Sequence, residues 1–130
     1  MDTKAIIKYW IEEADEALQV AEHLFGTGDY SYSLFFGHLC IEKILKAIYV
    51  YNNRKHAPPI HNLIRLAELA KIDLSADISD KMIEITTFNL EARYPDTKRT
   101  FRSLCTKDFT QEKLDEIRTI YKWLKRMIKP

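Results

Sequence analysis

Two groups of residues in this chain have the types and spacing that chemistry needs. His38 and Glu42 stand four positions apart, the separation that brings two side chains together on one helical face. Such a pair can be catalytic, or it can be a buried polar lock between helices, since structural pairs perturb ionisation too. Lys43 and Lys46, three apart, could grip a phosphate between them, or could lie at the bundle edge with their stems on apolar surface. The second group is basic. Arg93, Lys98, Arg99, Arg102 and Lys107, with Asp96 alone opposing them, give a local balance of +4 in a chain whose net charge is +1. Arginine forks phosphate and a tyrosine such as Tyr94 stacks on a base, so this stretch suits an anion or a nucleotide. The plainer alternative is a solvated basic loop after a helix. His23, beside Glu22, reads as a bystander.

These residues must be positioned by helices. From Tyr30 the apolar positions Leu34, Gly37, Ile41, Ile44, Ile48 and Tyr51 recur in steps of four and three, one face of an α-helix. A second row, Phe35, Phe36, Leu39, Cys40, Leu45 and Ala47, leaves only Ser31, His38, Glu42, Lys43 and Lys46 as a polar strip. A helix apolar around most of its girth must be covered on several sides, so this one is central. Before it, residues 3–25 form a helix with Trp10, Ala14, Ala17, Ala21 and Leu24 inward. Gly26 and Gly28 stop that helix, and Asp29 is the expected N-cap of the next.

After the central helix, Pro58-Pro59 fix an extended loop. A third helix is expected over 60–71, with Leu63, Ile64, Ala67 and Ala70 inward. A fourth follows over 76–92, capped by Ser75, and Pro95 forbids its continuation. Residues 94–109 show no helix or strand period and read as a long loop. Thr110 would cap the last helix, with Phe109 and Leu114 as its hydrophobic staple and Leu114, Ile117, Tyr121, Leu124 and Ile128 as its stripe. The expectation is a single all-α domain, an up-and-down bundle of four to five helices over 1–130.

Composition narrows the function classes. At 130 residues, 46% apolar and 30% charged, this is an ordinary soluble composition with a core that needs no staples. Near-neutral charge gives no global attraction to nucleic acid or membrane. Cys40 and Cys105 have no metal or scaffold spacing, and no Gly-rich phosphate loop, His-Glu-x-x-His or Cys-x-x-Cys occurs. No metal and no cofactor are expected. With no apolar leader and no membrane-spanning run, a cytoplasmic location is the expectation.

Four motifs in series carry a resemblance. Asp29-Tyr30 opening a helix, Glu42-Lys-Ile-Leu-Lys-Ala47 in its middle, His61-Asn-Leu63 after the loop and Ala92-Arg-Tyr-Pro-Asp96 resemble the HEPN family, the higher-eukaryote and prokaryote nucleotide-binding domains. The resemblance implies a helical bundle, usually a homodimer. Many members pair with a minimal nucleotidyltransferase protein as half of a toxin–antitoxin system, and others are thought to bind nucleotides. One branch cleaves RNA without metal, using an arginine and a following histidine with four to six residues between them. Here no histidine follows His61, so Arg93, Arg99 and Arg102 lack that partner. Arg54 and His61 match the spacing formally, but they straddle Pro58-Pro59 in an earlier loop. The resemblance therefore implies a non-catalytic nucleotide- or partner-binding domain, with Arg93, Tyr94, Lys46, Lys43 and His61 as binding residues. The competing readings are a ribonuclease toxin using Arg54 and His61, and a purely structural interaction module.

Overall fold

A single 24-residue helix, α2 (Tyr30–Asn53), forms the axis of the molecule, with buried residues all round it from Ser31 to Val50. The computed structural model describes residues 1–90 and 95–129, and every regular element among them is helical. Helix α1 (Thr3–Gly26) starts at Asp2, whose carboxylate accepts from the Ala5 amide. Ala14, Ala17 and Ala21 are buried on α2, where their small side chains permit close approach. Lys43 meets Glu13 and Ser33 meets the Ala21 carbonyl, so the two helices run antiparallel. Between them Gly28 takes φ of 83°, a turn conformation glycine adopts without steric cost.

The bundle is all-helical, as expected, with six helices among the described residues. Asp29 does stand at the start of α2, but its side chain makes no cap hydrogen bond. Its carboxylate instead accepts from the Thr27 hydroxyl at 2.6 Å. Helix α3 (Leu63–Leu69) begins later than the apolar pattern suggests, because Asn62 caps it by accepting from the Arg65 amide. Leu63, Leu66 and Ala67 are its buried residues, while Ile64 is only half-buried.

Helix α4 (Ala76–Thr86) is capped by Ser75, as expected, and stops well before 92. Its end carries two threonines whose hydroxyls bond back to the Met82 and Glu84 carbonyls, an arrangement that competes with helix continuation. Residues 94–109 are not one loop: α5 (Pro95–Leu104) lies within them. Pro95 does bar a preceding helix, but at a first helical position its missing N–H costs nothing and its fixed φ suits the new one. Helix α6 (Lys107–Lys125) is capped by Thr106 rather than Thr110, so Phe109 falls in its first turn and the staple is not formed.

Helix α6 closes the core with Leu114, Ile117, Ile120, Tyr121 and Leu124. Gly37 makes this possible, since a Cβ there would stand 2.7 Å from Ile117 Cδ1. Along the α1 side, Arg118 bonds Glu22 at 2.7 Å, and Tyr121 and Lys125 both reach Asp15. No helix among the described residues is long and apolar enough to cross a membrane.

Candidate functional site

The return segment after α2 decides where His61 goes. Glu42 and Arg54 are twelve positions apart on α2, about 18 Å along its axis. Residues 54–60 turn at Arg54 and again where the Ile60 N–H bonds the Pro58 carbonyl, and their reach, at most about 23 Å, is enough to return the chain along α2. His61 thereby lands on Glu42, with Nδ1 at 2.9 Å from Oε1. Helix α3 then runs parallel to α2, and Asn52 and Asn53 fasten its far end by donating to the Ala70 and Leu69 carbonyls.

Glu42 is the hub of this cluster. Its carboxylate is buried, and accepts from Lys46 Nζ at 3.1 Å through Oε2 as well as from His61 through Oε1. Lys46 is buried as well, with its ammonium 5.3 Å from the centroid of the Trp10 ring. His38 lies 3.9 Å from Glu42 and donates its Nε2–H to the His61 carbonyl at 3.3 Å. Its Nδ1 is buried without a hydrogen-bond partner among the described residues. Burial pushes the His38 pKa below its ordinary value, with Glu42 acting in the opposite direction, so the ring is held neutral. The His38–Glu42 spacing therefore yields a contact of second rank. The shorter bond comes from His61, nineteen positions on, which only the return loop could supply.

Burial and partners separate the residues singled out by sequence. Lys46 and His61 meet at Glu42, but His61 is 64% exposed and Lys46 only 8%, so just one of them faces solvent. Lys43 turns to the other side of α2 and pairs with Glu13 at 3.3 Å. Arg93 and Tyr94 lie outside the described residues. Arg54 is at the far end of α2, three turns from Glu42, so the chain does not bring Arg54 and His61 together.

Sequence reasoning overlooked a cleft at the opposite end of α2. Gly28, Asp29, Tyr30, Ser31 and Tyr32 line it from the α2 N-terminus, Arg102 and Cys105 from the region of α5, and it encloses about 530 Å³. Tyr32 is 48% exposed there. Helix α5 is held by Phe101, which packs against Phe88 with ring centroids 5.4 Å apart, and this leaves Arg99 and Arg102 on the surface. Neither arginine takes part in an ion pair among the described residues. The missed signal was Phe101, one apolar residue with basic residues at spacings that leave them on the other side of a helix. No group of His, Cys, Asp and Glu among the described residues could hold a metal.

A helical bundle threaded on one buried helix, with a carboxylate-centred cluster at its middle and a basic cleft at its end, defines a recognisable class. The HEPN domain profile matches residues 7–127, nearly the whole chain, and the protein belongs to that family. Among solved structures it is similar to TT1696 from Thermus thermophilus, with a TM-score of 0.78 at 22% identity over 94% of this chain and 98% of that one. At that identity the likeness shows the fold. No curated protein matches.

Proposed function

We propose that this HEPN domain is a non-catalytic binding domain whose ligand is a nucleotide, held in the cleft between the α2 N-terminus and α5. The observation that carries the reading is Arg102, an exposed arginine without an ion-pair partner among the described residues, which lines the same cleft as the first residues of α2 and the exposed Tyr32. Helix N-termini favour anions, arginine forks phosphate, and Tyr32 offers a ring for a base. Arg93 and Tyr94, immediately before α5 in the chain, belong to the proposed binding residues too, and a nucleotidyltransferase partner of a toxin–antitoxin-like pair would dock on the same basic region. Lys46 and His61 then act by fixing Glu42, and Lys43 by joining α2 to α1. A homodimer is part of the reading.

Thermal unfolding with and without millimolar ATP or GTP tests it. A dissociation constant about a tenth of the ligand concentration adds about 1.4 kcal/mol, roughly 4 °C for a domain of this size. The expected result is a rise in the parent that disappears in Arg102→Ala and shrinks in Arg93→Ala. An unchanged parent overturns the nucleotide reading.

A second reading, RNA cleavage, draws on the Glu42–His61 bond. A carboxylate accepting from Nδ1–H leaves Nε2 toward solvent as a base, the arrangement general-base chemistry uses. Cleavage of a ribose-containing substrate abolished by His61→Ala would establish it, whereas Arg102→Ala should leave that cleavage intact.

A further inference from the structure

We infer that the groove at the far end of α2 is a docking site for an acidic amphipathic helix of a partner protein. The first turns of α1 and the ends of α2 and α6 enclose about 730 Å³ there. Ile7, Ile11, Tyr51 and Ile128 form its half-buried apolar floor. Around it stand Lys4, Lys8, Arg54 and Lys129, against Glu12 alone, so the groove carries a surplus of +3. Glu12 is already engaged with Lys8 at 3.7 Å.

Shape and charge select the occupant. The α1 wall from Thr3 to Glu12 is about 13 Å long, which matches two turns of a helix carrying apolar anchors at i, i+4 and i+7. Acidic residues flanking those anchors would meet the basic rim. A second copy of this chain is disfavoured, because a two-fold contact would set one basic groove against another. A membrane surface could not follow the apolar floor into a recess.

Arg54 caps α2 and contributes to the basic rim of the groove. It adopts φ of 57°, the left-handed conformation that glycine takes most readily at a helix end, and its side chain lines this groove.

Fluorescence anisotropy with three labelled peptides of about 18 residues is the test. One has leucines at helical spacing flanked by glutamates, one has lysines in place of those glutamates, and one is a scramble of the first. The acidic amphipathic peptide should bind saturably, with the other two at least about tenfold weaker. Ile7→Asp should weaken binding by a similar factor. Arg54→Gly should weaken it several-fold without lowering the unfolding temperature, which separates lost contact from lost folding. Lys4→Glu, at an exposed position, supplies a charge-only variant and should also weaken binding.

Equal binding of the scrambled or lysine peptide, or binding indifferent to Ile7→Asp and Arg54→Gly, overturns the inference. So does a dimer that Ile7→Asp splits in sedimentation, which would make the occupant a second copy. Adsorption to phosphatidylglycerol vesicles that Ile7→Asp abolishes would make it a membrane. None of these residues borders the α5 cleft, so the nucleotide reading is unaffected by any outcome.

Discussion

His38 shows how one buried ring ties stability to pH. In the unfolded chain its imidazole protonates near pH 6.5, whereas burial lowers the folded value despite Glu42 nearby. Between those two values the unfolded state binds more protons. The stabilisation is therefore complete above about pH 6.5 and is lost as pH falls below it, by at most about 1.4 kcal/mol per pH unit. Chemical denaturation from pH 7.5 to 5 should show this loss, and His38→Gln should flatten it. Glu42, His61 and Lys46 face the same ring, so the comparison between parent and variant isolates His38. An equal slope in both proteins would refute this. Elsewhere, Tyr121 is raised by burial and by its bond to Asp15. Burial pulls Lys113 down, but the Glu84 hydrogen bond and nearby carboxylates outweigh it and leave that lysine raised.

At the scale of elements, Gly37 and Ile117 fix how closely α6 approaches α2. Alanine at 37 would gain about 1 kcal/mol in helix propensity but force a buried Cδ1 to move, and overpacking costs roughly 1–3 kcal/mol. Gly37→Ala should therefore destabilise modestly in urea denaturation. In an Ile117→Val background, which lacks that methyl, the same change should stabilise. The apolar period of α2 made this helix legible from sequence, and its girth announced a central position. Helix α5 was not legible, because one phenylalanine among charged residues gives no period and Pro95 reads equally as a stop or a start. The start of α6 was hidden by two threonines, Thr106 and Thr110, either of which could cap. At the candidate site, the polar strip showed where ionisable groups sit. It could not show that a proline-stiffened return would give Glu42 to His61, a relation that exists only in three dimensions.

Across the whole molecule, burial is uneven. Helix α2 is covered by α1 and α6, whereas Phe101 is the one buried residue among the described side chains of α5, and Leu104 is exposed. Native-state hydrogen exchange should accordingly find the slowest amides in the middle of α2 and the fastest helical amides in α5, because local opening costs least where few apolar contacts must break. Protection of α5 equal to that of α2 would contradict this account.

The ties between α1 and α6 have a consequence for the order in which a newly made chain can mature. Glu22 waits for Arg118 and Asp15 for Lys125, separations of 96 and 110 residues. During synthesis the hairpin of α1 and α2 can form early, but one side of α2 stays bare until α6 has left the ribosome. Through that interval Gly37 and its neighbours present an apolar strip to the cell, a target for chaperones and for stray association. Emergence of α6 removes that exposure, so a chain stalled before residue 107 would lack the side of its core that α6 supplies.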